Sequence, residues 1–466
     1  MVSATATTYL SCCSSIQPSC IAIDHDEKYV LDSLIDGRAP LNQPETPRSR
    51  PRRVPNLNQQ KAEMVTYDKR PRAALRPWLG VSAITASLFV FLTTELMPVG
   101  LLTPMSASLG ISVGAAGLMV TLYGVSAGLG VPFIVAWTRR VNRRVLLSAL
   151  LATLTVGNLV TAVAPSYPLV LTTRLIMGFA SGVFWAIGVS MAMRLVPERH
   201  ASRAAAVVMS GISIAAVVGI PLGTALESLT DWRTTFLIWA GLAALVFLAA
   251  VAVIPSLPSA NAVSVREVFA LPLTNVPLRL VLFTVVLFVL GHFGAYTFVR
   301  PFLEETSSAT PLFITAVLMV YGVGCAAGNL VAGHTVGRSA SGSFIASCAG
   351  LVVSLLALLA IGHGPAGSVI SLILWGVSFG VVQLSQVNMT QAAAPGTFEA
   401  AMSLNTMAYN TSIALGALFG GQFADHLGVT SVVWFGVALT AAALLLTLGA
   451  RRKTPRPVHG GASARG

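Results

Sequence analysis

Long apolar runs alternate with short polar joints along this chain, and the length of the runs decides the architecture. Crossing about 30 Å of hydrocarbon takes about 20 residues of helix. Twelve runs meet that length, at 78–103, 115–137, 145–163, 168–193, 203–226, 234–254, 278–300, 311–333, 343–361, 367–391, 400–423 and 429–450. They are spans 1 to 12, in chain order. Each is predicted to be α-helical, because the bilayer interior offers no partner to an open backbone group. The expected fold is an all-α membrane protein of twelve transmembrane helices.

Residues 1–76 break this pattern. They are polar and rich in Pro, Arg and Asp, and read as a disordered tail. The first 23 residues lack the basic start and continuous apolar core of a signal peptide. Met64 opens a short basic stretch (Lys69, Arg70, Arg72, Arg76) ahead of span 1 and is read as an alternative start. A basic tail, 451–466, follows span 12.

The two halves repeat. Tyr123-Gly124-Val125 returns as Tyr321-Gly322-Val323, Gly130 as Gly328, and Gly178, Gly182 and Pro197 as Gly376, Gly380 and Pro395, all 198 residues apart. Gly219 and Gly223 return as Gly416 and Gly420, 197 apart. A near-constant offset over three helix pairs predicts two six-helix bundles, 77–254 and 278–450, joined by a loop at 255–277. A ligand path is expected between them near the midplane. Glycines dominate the matches because helices in lipid associate by close packing.

Composition agrees. The 466 residues are 55% hydrophobic and 10% charged, against roughly a quarter charged in soluble chains. The net charge of +12 would suit a nucleic-acid binder. However, the arginines lie between apolar runs and not on one soluble face, so nucleic acid is excluded as a partner. About eighteen basic residues fall on one side of the membrane, and only Arg233 and Arg300 on the other. Both termini are therefore expected in the cytoplasm, with the chain in the plasma (inner) membrane. The five cysteines show no zinc or disulfide spacing. No Walker loop, zincin helix or dinucleotide fingerprint appears. Two Gly-x-Ser-x-Gly matches lie inside spans 2 and 10, not on a strand-to-helix turn. No enzyme, cofactor or metal is predicted.

Chemistry is sparse within the spans. Nine acidic residues follow residue 77, and only Glu95 lies inside a span. A carboxylate is costly in hydrocarbon and by default functional there. Pro98, three residues on, frees a backbone carbonyl nearby. Arg174 is the one arginine well inside a span, and Glu95 is its expected partner. His292 in span 7 is of a type that titrates near neutral pH in water. These three are the proton-coupling candidates. Substrate-binding candidates are Gln383, Gln386 and Asn388 in span 10, Asn405 in span 11 with Asn410 beside it, and the aromatic residues Tyr123, Trp185, Tyr296, Tyr321, Trp375 and Tyr409. The amides would suit hydroxyls of a sugar or nucleoside, and serve equally as interhelical hydrogen bonds.

Several stretches resemble a known family. Span 4 carries Arg174-Leu-Ile-Met-Gly178-Phe-Ala-Ser-Gly182, and span 5 carries Gly219-Ile-Pro221-Leu-Gly223, followed by Asp231-Trp232-Arg233. These resemble the exporter signature and antiporter motif of the major facilitator superfamily, in its twelve-span drug–proton antiporters. Thr94-Glu95-Leu-Met-Pro98 and Gly291-His292-Phe-Gly-Ala-Tyr296 are similar to the sugar/arabinose efflux branch. The loop after span 2 departs from the family. It reads Arg139-Arg140-Val-Asn142-Arg143-Arg144, without the acidic residue and glycine that serve a charge latch between spans 2 and 11. The resemblance implies proton-coupled export of a small molecule, with the proton as coupling ion and a monomer in the bilayer. Proton-linked or facilitated nutrient uptake is the main rival reading, and a transporter-like sensor a remote one.

Overall fold

The computed structural model describes residues 71–137, 141–257 and 265–453, and those from Ala74 onward belong to one compact unit. Met64, most of the expected tail and residues 454–466 lie outside the described residues. The helices run Pro71–Leu109, Val113–Trp137, Arg143–Val163, Tyr167–Leu195, Ala201–Ile214 continuing as Ile220–Leu229, Trp232–Val253, Val276–Thr297, Pro311–Thr335, Ala340–Ile361, Pro365–Ala393, Phe398–Leu427 and Val429–Lys453. In order, these carry spans 1 to 12. Among the described residues there is no strand.

Among the described residues, ten helices are long and apolar enough to cross a membrane by composition. Span 2, Val113–Trp137, is apolar as well, and span 11 carries Asn405, Thr406, Asn410 and Thr411. The two pack on each other: Gly124 meets the Asn410 carbonyl and Ala414, and Gly114 meets the Gly421 carbonyl.

The boundaries differ from expectation in four places. The first helix begins at Pro71, inside the stretch read as disordered tail; proline suits a first helical turn, where its missing N–H has no partner to lose. Span 5 is not a regular α-helix. Ala215–Gly219 forms a π turn, closed by the Ile220 N–H on the Ala215 carbonyl. Pro221 has no N–H to offer the carbonyl four residues back, and a widened turn accommodates the defect. Span 7 stops at Thr297; its end is a separate short helix, Val299–Ser307, hinged at Phe298. The central loop contains a helix, Val265–Thr274.

The repeat survives as identical contacts. A Cβ on Gly178 would collide with the Tyr123 carbonyl, and one on Gly376 with the Tyr321 carbonyl. Likewise Gly182 abuts the Ala127 carbonyl and Gly380 the Cys325 carbonyl. Each half thus brings backbone onto backbone at the same two positions, which only glycine permits.

The ends differ in what ties them. At the arginine-rich end, Asn142 caps span 3 by accepting from the Arg144 N–H at 2.9 Å, and the Arg143 N–H donates to the Leu257 carbonyl at 2.9 Å. The Arg144 guanidinium reaches the Val251 carbonyl at 2.6 Å. This loop is therefore bound to the end of span 6. At the other end, Asp231 caps span 6 by accepting from the Thr234 N–H at 2.7 Å. That bond holds its carboxyl below the usual range. Arg233 stacks over Trp232 at 4.2 Å and donates to the Ala164 carbonyl at 2.6 Å.

The glycine contacts generate a test. Gly178→Ala and Gly376→Ala should each destabilise the detergent-purified protein by about 1–3 kcal/mol, the usual cost of overpacking. Gly241 faces open space, with nothing within 4 Å of an added Cβ. Gly241→Ala should leave the thermal midpoint unchanged or slightly raised. Equal midpoints for all three variants would contradict the contact scheme.

Candidate functional site

A cavity of about 320 Å³ lies between the two bundles, within the range of small-molecule sites. The first bundle supplies an apolar wall, with Leu92, Leu96, Val189, Met209, Ile212 and Ile220, interrupted by Glu95, Trp185 and Ser213. The second bundle supplies a wall of aromatic rings and amides. Among the described residues that line it, Glu95 is the one charged side chain.

Glu95 is 4% exposed. Its Oε2 accepts from the Ser181 hydroxyl at 3.3 Å, one turn beyond Gly178 on span 4. The expected ion pair with Arg174 is not formed. Arg174 is fully buried, donates to the Thr94 carbonyl at 2.7 Å and lies 4.9 Å over the Phe236 ring. A backbone carbonyl and an aromatic face together offer the guanidinium partial compensation without a carboxylate. Arg174 therefore grips span 1 at the residue before Glu95. Asn158 adds a contact to the Thr94 hydroxyl at 3.3 Å.

His292 lies among aromatic rings. Phe379 stacks on it at 3.9 Å and Tyr296 at 5.5 Å. The Trp375 indole N–H donates to His292 Nδ1 at 2.9 Å. An indole nitrogen can only donate, so Nδ1 accepts, and the neutral ring carries its hydrogen on Nε2. That nitrogen is 3.4 Å from the Tyr321 hydroxyl, which lines the cavity. A second ring proton would have to displace the Trp375 bond.

Of the ten substrate candidates, Trp185, Tyr296, Tyr321, Gln383, Gln386, Asn405 and Tyr409 line the cavity. Gln383 donates to the Tyr409 hydroxyl at 2.9 Å. Three candidates do not line it. Tyr123 is 1% exposed in the core of the first bundle, although its repeat mate Tyr321 reaches the cavity. Trp375 stands behind the wall as the donor to His292. Asn388 spends its amide on the Leu384 carbonyl at 2.9 Å. Gly219 and Gly223 pack against Thr93 and Met97 of span 1, and Pro221 follows the π turn. These three shape the span 1–span 5 contact beside Glu95. Asn329, Phe293, Phe379 and Cys325 line the cavity as well. Of these, Asn329 carries a usable sequence signal, a polar residue directly after the repeat glycine Gly328.

Contacts between the bundles seal the arginine-poor end. Arg300 pairs with Glu227 and with Glu304, each at 2.8 Å, and donates to the Gly100 carbonyl. Glu227 and Gly100 belong to the first bundle, Arg300 to the second. Asp425 of span 11 accepts from the Ser112 hydroxyl at 2.6 Å and from the Gly114 N–H at 2.8 Å. A carboxylate from one bundle thus caps the start of span 2 in the other, where the helix dipole favours negative charge. Spans 2 and 11 are latched, but by Asp425 at the arginine-poor end. The cavity lies on the arginine-rich side of these contacts.

The family model described as Major Facilitator Superfamily matches residues 82–398. The fold is similar to the crystal structure of the human organic anion transporter MFSD10 (TETRAN), at 15% identity over 81% of this chain and 100% of that one, with a TM-score of 0.58. It is also similar to a mutant of the nucleoside transporter NupG, at 14% identity over 80% of this chain and 98% of that one, with a TM-score of 0.63. Identities this low speak to the fold alone.

Cys325 lines the cavity, whereas Cys348 is fully buried. With the other four cysteines replaced by alanine, Cys325 should react slowly with a membrane-impermeant maleimide added from the arginine-poor face. Arg300→Gln should raise that rate about tenfold, the scale of losing a buried hydrogen-bonded charge contact. An unchanged rate would show that Arg300 does not hold this end closed.

Proposed function

The chain belongs to the major facilitator superfamily, a family of membrane transporters and not of enzymes, and from that premise we propose that it is a proton-coupled secondary exporter working by alternating access. A small molecule enters the cavity from the cytoplasm through the arginine-rich end, in line with the bias of basic residues to that side. Closure there and release of the Arg300 and Asp425 contacts would turn the cavity outward.

One observation carries the reading: Glu95 is the single ionisable carboxylate on the cavity wall, buried and without a cationic partner among the described residues. An unpaired charge in such a place is costly, and one bound proton removes the cost. Protonation therefore changes the electrostatics of the whole cavity, which is what a coupling site must do. A proton and a substrate that share this cavity are coupled in both directions. Arg174 acts as a positioning residue, since it fixes the span 1 backbone next to Glu95. His292 stiffens the aromatic wall through Trp375 and Tyr321. No cofactor is needed beyond the proton. Export, more than uptake, is supported by the Gly219-Ile-Pro221-Leu-Gly223 stretch, whose glycines and π turn adjoin span 1 beside Glu95.

Everted vesicles with a pH-sensitive dye test this. A panel of sugars, nucleosides and drugs is added to vesicles carrying the natural chain or Glu95→Gln. Proton movement triggered by a transported compound should be reduced at least a hundredfold in Glu95→Gln, to background. A flux that survives the substitution would remove Glu95 from the coupling step.

A further inference from the structure

The central helix, Val265–Thr274, has one face fixed to protein and an apolar face left open. Leu271 packs against a small cluster of the second bundle, made by Leu278, Ala394, Ala400, Ala401 and Leu404. Asn275, directly after the helix, ties two spans at once. Its side chain caps span 7 by accepting from the Leu278 N–H at 2.9 Å, and donates to the Ala393 carbonyl at the end of span 10 at 2.8 Å. Phe269 and Leu273 are one turn apart, on the face opposite Leu271, and are 42% and 79% exposed. The open face does not stop at Asn275. Val276, Leu280 and Phe283 continue it at helical spacing along span 7 and are exposed as well. On a membrane span such a stripe faces lipid. The 22 residues of span 7 reach about 33 Å at 1.5 Å each, little more than the ~30 Å of hydrocarbon. The first turn of span 7 must then lie at the membrane boundary, and the central helix ends two residues before it.

From this continuity we infer that Val265–Thr274 is an interfacial anchor, whose Phe269–Leu273 edge sits in the leaflet at the arginine-rich end with an acidic phospholipid against it. A helix with one apolar edge binds a bilayer by laying that edge at the boundary of headgroups and acyl chains. Lipid is the occupant because the edge runs on, without a polar break on its exposed side, into the lipid-facing surface of span 7. The acidic headgroup follows from Arg279. This residue is exposed one turn into span 7, on the face shared by Val276 and Phe283. No ion pair among the described residues takes it. A guanidinium at this depth meets the phosphate level and favours anionic lipid. The anchor has a mechanical consequence. Through Leu271 and Asn275 it fastens the ends of spans 10 and 11 to a helix that lipid holds at the membrane surface. None of this depends on the exporter reading or on what the cavity holds.

Fluorescence quenching on the full chain, one copy per lipid nanodisc, tests the anchor. The five native cysteines are replaced by alanine, and Phe269→Cys or Leu273→Cys carries a bimane probe. Gly337→Cys, in the exposed turn between spans 8 and 9 at the same end, is the aqueous control. Bromine on lipid acyl chains should quench the probe at positions 269 and 273, and iodide in the water should quench it there about fivefold less than at position 337. Brominated phosphatidylglycerol should quench the probe at position 273 about twofold more than brominated phosphatidylcholine at equal content, and Arg279→Gln should abolish that preference. Thermal midpoints matching the natural chain establish that the labelled variants fold; if Phe269→Cys does not, the more exposed Leu273→Cys carries the test alone. Iodide quenching as strong as at position 337 overturns the anchor, since water then covers the edge. Shielding from both quenchers overturns it as well, because protein then covers the edge. Equal quenching by the two brominated lipids overturns the assignment of an acidic headgroup.

Discussion

Helices in a bilayer gain little by hiding apolar surface from lipid, so contact between them must come from atoms brought unusually close. In this chain that closeness is supplied by glycine against backbone carbonyl. Gly178 and Gly182 bring span 4 onto span 2, and Gly376 and Gly380 bring span 10 onto span 8, at the same carbonyls in each half. These contacts set where the cavity-side residues of spans 4 and 10 fall. Span 4 carries Ser181 and Trp185 one face away from them, and span 10 carries Phe379, Gln383 and Gln386. A side chain at any of the four glycines would push span 4 away from span 2, or span 10 away from span 8.

The same constraint explains how one end closes. Gly114 and Gly421 let spans 2 and 11 meet, and the approach is then secured by polar contacts that cross the bundles, Asp425 on Ser112 and Gly114, and Arg300 on Glu227. Glycine packing has no strong directional preference and permits sliding. Ion pairs and a helix cap are discrete, either made or broken. The end is therefore held by smooth faces and a few discrete ties.

The cavity is asymmetric although the fold is not. Repeat mates have parted company: Tyr321 reaches the cavity and Tyr123 does not, and Arg174 holds span 1 from a position whose mate, 198 residues on, is Leu372. Divergent side chains then give one wall a carboxyl group and the other aromatic rings and amides.

By itself, the sequence determined the spans, the repeat and the single intramembrane carboxylate. These depend on composition and period, and hydrocarbon enforces both with little regard to neighbours. Seven of the ten polar and aromatic residues singled out within the spans line the cavity, because such residues inside a span have few other places to go. Only the tertiary structure decided the partners. Arg174 and Glu95 are both rare in a membrane span, and rarity alone pairs them; in three dimensions the guanidinium meets the Thr94 carbonyl and Phe236 instead. His292 reads as a lone titratable group in the sequence, and its meaning comes from Trp375, 83 residues away. Which wall a residue faces, and whether its hydrogen bonds are already spent, depends on helix rotation. Rotation is set by packing against helices distant in sequence, which no local pattern records.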